Sequence, residues 1–225
     1  MASTTPLTHR LLERPIRRLI LRDLKRSFRR IVWAGALPDL PADVPVVLYA
    51  NHFNFYDGYL AWYVARELLG RYSLTWMADL DAFPFFKAQG ALSFPEDNPK
   101  RRLLTIRETA RQMRERPETV LFYFPEGILH PPEDGLGELP TKSFAKLDRI
   151  FPEKLWWPVG IHVTWWGENL PTVILGAGEA YPESDGTERD RLNAVLTRLH
   201  TVRPGDANVR TVFDGRLSPN ERWRR

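Results

Sequence analysis

The chain has 225 residues, 43% of them hydrophobic, a size that suits one domain with a sizeable core. It contains no cysteine, which excludes disulfides, thiolate metal sites and a cysteine nucleophile. The formal net charge is +4, and no run of about 18 apolar residues is present to span a bilayer as a helix.

Charge is unevenly placed. Between Arg10 and Arg30 lie nine cations, against the two acids Glu13 and Asp23. Residues 7–33 read as helix, because Leu12, Ile16, Leu19, Ile20, Leu24, Phe28, Ile31 and Val32 recur at three- and four-residue steps, with Pro15 near its start or dividing it. A basic face opposite an aliphatic one is the pattern of a helix lying on a membrane surface. The plainer reading is a helix packed on the domain with a solvated basic face. No nucleic-acid motif accompanies the arginines, so nucleic acid is not expected as a partner. Residues 1–5 lack a cation-plus-apolar leader, which points to a cytoplasmic protein, and the basic helix would then attach it peripherally to the cytoplasmic face of a membrane.

Residues 36–45, with Pro38, Pro41 and Pro45, form a stiff connector. Residues 46–50, Val-Val-Leu-Tyr-Ala, then read as a buried strand that stops at Asn51-His52, with Asp57 five positions after the histidine. Such a polar turn sits at the rim of a sheet, where α/β proteins place their chemistry. His52 takes a proton near neutral pH, and Asp57 is placed to hold one ring nitrogen and leave the other as a general base. The bland alternative is a capping loop in which Asp57 opens the next helix.

Further along, residues 58–69 have helical spacing and end at Gly70, residues 72–77 read as a strand, and residues 82–88 as a short aromatic helix. Phe83, Phe85 and Phe86 read as core more readily than as an acyl slot. Asn98-Pro99 opens a helix to about residue 115, with Lys100, Arg101 and Arg102 in its first turn. A second buried strand then ends in Phe124-Pro125-Glu126-Gly127.

Together, Asn-His-x4-Asp at residues 51–57 and Phe-Pro-Glu-Gly at residues 124–127 resemble the two signature blocks of the glycerolipid acyltransferase family, typified by 1-acylglycerol-3-phosphate acyltransferases. The resemblance covers about residues 45–180. Gly90, in a Phe-rich segment, is similar to the centre of the family's second block, and Trp157-Pro158-Val159-Gly160-Ile161 to its fourth. It implies His52 and Asp57 as catalytic residues, and Glu126, Gly127, Asn51, Phe124 and Pro125 as acceptor-binding. Arg101, Arg102 and Lys142 are candidates for phosphate. Where the family usually carries an arginine after its glutamate, this chain has Ile128-Leu129-His130. Loss of a planar five-donor group favours a glycolipid or carotenoid-glycoside hydroxyl over a lysophosphatidic acid-like acceptor. His130 reads as a loop histidine, with acceptor binding as the alternative, and residues 131–140 as a flap at the mouth of the site.

The remainder reads as a strand or strand pair over residues 156–166, broken at Pro158 and Gly160, then a strand at 172–175 and a helix at 188–200. The four tryptophans of the first of these are assigned to the core. Residues 203–225 are too polar to place, and their Arg222-Trp223-Arg224-Arg225 end reads as lipid-touching or disordered.

The expected architecture is α/β, a mixed, largely parallel sheet flanked by helices, divided as a basic helix in residues 1–37, an acyltransferase domain in 38–205 and a tail in 206–225. The expected activity is transfer of a fatty acyl group from acyl-CoA or an acyl-carrier-protein thioester to a lipid hydroxyl at a membrane, an acyltransferase of groups other than amino-acyl groups. No metal or bound cofactor is expected, since no zinc, Walker or dinucleotide motif occurs. The rival readings are a non-catalytic lipid-binding protein of the same fold and an acyl thioester hydrolase.

Overall fold

The computed structural model describes residues 7–223, and their side chains except those of residues 7–11 and Asn220. Residues 1–5, the Arg10 side chain, Arg224 and Arg225, to which sequence expectations attach, lie outside the described residues.

An eight-stranded sheet, in the order β4-β3-β5-β2-β6-β7-β1-β8, carries the molecule. Its strands are β1 Arg30–Ala34, β2 Val46–Ala50, β3 Tyr72–Met77, β4 Ala91–Ser93, β5 Thr119–Tyr123, β6 Leu155–Thr164, β7 Thr172–Ala177 and β8 Val209–Asp214. From β4 to β6 all neighbours are parallel, β7 is antiparallel to β6, β1 is parallel to β7, and β8 is antiparallel to β1. The fold is therefore α/β with a mixed, mostly parallel sheet.

The helices are α1 Leu7–Ser27, α2 Asp57–Tyr63, α3 Pro99–Glu115, α4 Thr141–Ile150, α5 Glu188–Thr201 and α6 Pro219–Trp223. Alternation along β2 sends Val46, Leu48 and Ala50 into one core, with Ile20 and Leu24 of α1 and Leu60 of α2. Val47 and Tyr49 enter a second core on the opposite face, with Ala110 of α3, Phe144 of α4 and Leu192 of α5.

Two expectations at the N-terminal end are corrected. The helix ends at Ser27 and residues 30–34 are a strand. Ile31, Val32 and Trp33 are all buried, which a strand between two neighbours allows and a one-faced surface helix does not. The apolar stripe of α1 is also spent within the protein: Ile16, Ile20 and Leu24 are buried in the first core. Arg17 pairs with Glu67 at 2.6 Å, and Glu13 with Arg66. The stripe is thus not free to lie in a bilayer. No described helix is long and apolar enough to cross a membrane.

β6 is one continuous strand rather than two. Leu155 N–H bonds toward β2 and Trp156 N–H away from it, so by alternation Pro158 turns its missing N–H away from β2, where the β7 ladder has ended at Val159↔Ala177. Gly160 lies beneath α5, where an added Cβ would stand 2.8 Å from Val195 Cγ1. Of the four tryptophans, Trp156 and Trp157 are core while Trp165 is exposed. In the segment left unplaced, residues 209–214 complete the sheet beside β1 and residues 219–223 form α6. Trp223 is exposed.

Candidate active site

Register builds the site. β2 and β5 are paired in parallel with Tyr49 opposite Tyr123, so three residues further on His52 and Glu126 leave the same sheet edge side by side. Asn51 fixes the exit. Its side-chain Nδ2 donates to Ile161 O at 2.9 Å, and its Oδ1 accepts from Ile161 N at 2.9 Å, continuing the β2–β6 pairing through an amide side chain. Fully buried and doubly bonded, Asn51 is a backbone clamp, a correction to its expected acceptor-binding role.

The His52 imidazole is held from two sides. Its Nδ1 lies 3.2 Å from Asp57 Oδ2, and its ring stacks on Phe124 at 4.5 Å. Asp57, the first residue of α2, is fully buried and also accepts from Asn54 N at 2.8 Å and Asn54 Nδ2 at 2.6 Å. Asn54 Oδ1 in turn accepts from Tyr56 N at 2.8 Å, closing a turn around the carboxylate. Burial pushes the Asp57 carboxyl upward, and the His52 and Asn54 hydrogen bonds pull against it. The donors around Asp57 select the tautomer of His52 with the proton on Nδ1. Its Nε2 then carries a lone pair, and no described residue bonds to it; the side chain is 23% exposed.

Phe124-Pro125-Glu126-Gly127 is a tight turn, closed by Gly127 N to Phe124 O at 3.1 Å, with Gly127 at φ +74°. Only a glycine takes that left-handed conformation without strain. Glu126 is turned inward, its side chain 3% exposed. Oε2 accepts from His52 N at 2.9 Å, and Oε1 accepts from Gly137 N at 2.9 Å and faces His130 Nε2 at 2.6 Å. The carboxylate expected to receive the acceptor hydroxyl is thus engaged by three groups of the protein itself. Phe124 supports the imidazole, and Pro125 is buried.

His130, read from sequence as a loop residue, joins the two turns. Besides Glu126 it contacts the Phe53 ring at 5.0 Å, and its N–H reaches His52 O at 3.4 Å. Residues 131–140 are pinned rather than free: Leu136 and Leu139 are buried, and Arg189 donates to Leu136 O at 2.8 Å and Gly137 O at 3.0 Å. Asn54 was the other group missed; its Asn-x-x-Asp spacing is the one local signal that points to a turn around Asp57.

The phosphate candidates lie on α3 and α4 rather than on the two motif turns. Arg101 and Lys142 are exposed, Asn98 caps α3 by accepting from Arg101 N at 2.9 Å, and Arg102 lies over the Phe94 ring at 4.4 Å. Among the described residues no hydrogen bond or ion pair ties any of the three to His52, Asp57 or Glu126. Arg102 is near enough to oppose the burial that raises the Tyr123 hydroxyl to about 12. In comparisons with known proteins, the chain matches no family model and no curated sequence.

Proposed function

We propose that the protein is a membrane-associated O-acyltransferase that moves a fatty acyl group from a thioester, acyl-CoA or acyl-carrier-protein linked, to a lipid hydroxyl. The observation that carries this reading is the His52–Asp57 pair, with Nε2 open, standing in register beside the Phe-Pro-Glu-Gly turn. Nε2 takes the proton of the acceptor hydroxyl as its oxygen attacks the thioester carbonyl. The C–S bond breaks and the departing thiolate recovers that proton from the imidazolium, giving ester and thiol. Asp57 holds the tautomer and stabilises the imidazolium. With no cysteine in the chain, transfer without a thiol-bound acyl-enzyme fits the residues present.

The acceptor that fits best is a hydroxyl that does not depend on phosphate, a glycolipid or carotenoid glycoside. Within the two motif turns the basic side chain, His130, already faces Glu126. A lysophosphatidic acid-like acceptor requires Arg101, Arg102 or Lys142 to reach it from the rim. The membrane reading rests on the same edge: Phe55, Ile128 and Leu129 are exposed on the segments that follow β2 and β5.

Labelled acyl-CoA offered with a glycolipid and with lysophosphatidic acid, both in vesicles, tests the proposal. The expected product is an acyl ester on the glycolipid, with the protein floating with the vesicles. Free fatty acid alone identifies a hydrolase, and binding without turnover a lipid-binding protein.

A further inference from the structure

Both ring nitrogens of His130 face oxygen acceptors: Nε2 the Glu126 carboxylate at 2.6 Å and Nδ1 the Pro131 carbonyl at 3.2 Å. A neutral imidazole carries one N–H and satisfies one of these; only the imidazolium donates to both. Glu126 needs that charge. Its side chain is 3% exposed, and a carboxylate buried to that degree is costly without a positive partner. The remaining charge that acts on His130 is Asp134, which favours the same protonated form. Burial of the ring opposes it and is outweighed by the Glu126 contact.

We propose that His130 is a positioning residue for His52: as an imidazolium it holds the Glu126 carboxylate against the His52 backbone N–H, and so fixes the turn from which the base reaches its substrate. The inference rests on the reading of His52 as the general base. Its chain of contacts is short. His130 Nε2 holds Glu126 Oε1, Glu126 Oε2 accepts from His52 N, and His130 N donates back to His52 O. Loss of the His130 proton leaves a neutral ring with one N–H, which holds either Glu126 or the Pro131 carbonyl but not both, and it takes the positive charge away from the buried Glu126 carboxylate. The turn then loosens and turnover falls, while the residues that meet the thioester are untouched.

The direction with pH follows from the contact. The pair raises the proton affinity of His130 above that of a free imidazole, so the clamp is complete below the ordinary imidazole range and is lost as pH rises through the higher folded-state value. Proton NMR titration of the histidine Cε1–H signals, assigned with His130→Gln, tests this without any substrate. The His130 signal is expected to titrate above the free imidazole value of about 6.5, and to return toward it in Glu126→Gln. In the acyl-transfer assay, His130→Gln is expected to lower kcat about tenfold at neutral pH with little change in KM for the thioester, and to abolish the alkaline fall of kcat. His130→Arg, which keeps the charge, is expected to recover most of kcat and to move that fall to higher pH. An ordinary His130 titration in the wild type, or a wild-type pH profile in His130→Gln, overturns the proposal. A raised titration in a protein without acyl-transfer activity removes the functional reading and leaves the His130–Glu126 clamp standing.

Discussion

At the residue scale, the site is a set of polar side chains that satisfy one another. Asp57 has no solvent exposure, so each donor around it counts: three nitrogen groups, from His52 and twice from Asn54, point at its two oxygens. Asp57→Asn replaces one acceptor oxygen with an NH2 that cannot accept from Asn54 or from His52 Nδ1–H. The His52 proton is then driven to Nε2, where a general base needs a lone pair. The substitution is expected to lower kcat by about 10³- to 10⁴-fold, in the range that tautomer reversal costs in a Ser-His-Asp triad. A steady-state comparison at fixed pH checks it, with circular dichroism to show that the fold is kept. The sequence named His52 and Glu126 because each follows an apolar strand in a polar turn, and Asp57 because it stands five positions after the histidine. It could not show that Glu126 and His130 both reach the His52 backbone, since that depends on the register between β2 and β5, strands separated by about seventy residues in the chain.

At the element scale, legibility followed burial. β2 and β5 are apolar runs with burial nearly throughout, and α3 is announced by its Asn98 cap and Pro99, so these were read within a residue or two. β1 was hidden because Ile31, Val32 and Trp33 continue the apolar spacing of α1. β8 was hidden because, at the edge of the sheet, it buries no residue fully and reads as polar. Gly90 shows how one backbone position fixes the packing of neighbouring elements. It ends the 3₁₀ turn Pro84–Gln89 at φ +90°, and an added Cβ would stand 1.9 Å from the Ser73 carbonyl oxygen in β3. That contact is with backbone, so no rotamer change relieves it. Gly90→Ala is expected to destabilise the protein by more than about 3 kcal/mol, or to prevent folding. A urea midpoint close to that of the wild type refutes this account of the turn.

At the scale of the whole molecule, the sheet divides its labour. Strands β4, β3, β5, β2 and β6 run parallel and deliver the motif turns to one edge, while β7, β1 and β8 extend the sheet on the other side. The two cores on either face of β2 hold that edge rigid: α1 and α2 pack on one, α3, α4 and α5 on the other. The cationic α1 thereby takes the plainer of its two sequence readings, a helix packed on the domain by its apolar face. Three of the exposed apolar residues, Phe55, Ile128 and Leu129, lie on the segments after β2 and β5, where the chemistry is proposed. An enzyme acting on lipid at a bilayer surface has a use for that arrangement, since the acceptor hydroxyl then enters from the apolar side. The account as a whole rests on His52 as the base at this edge. The most direct test is thiol release from long-chain acyl-CoA in the presence of a vesicle-borne glycolipid, compared between the wild type and His52→Ala. Acceptor-dependent thiol release that falls by at least about a hundredfold in the variant, with the thermal unfolding curve unchanged, is the predicted result. Acceptor-dependent turnover that survives His52→Ala contradicts the account.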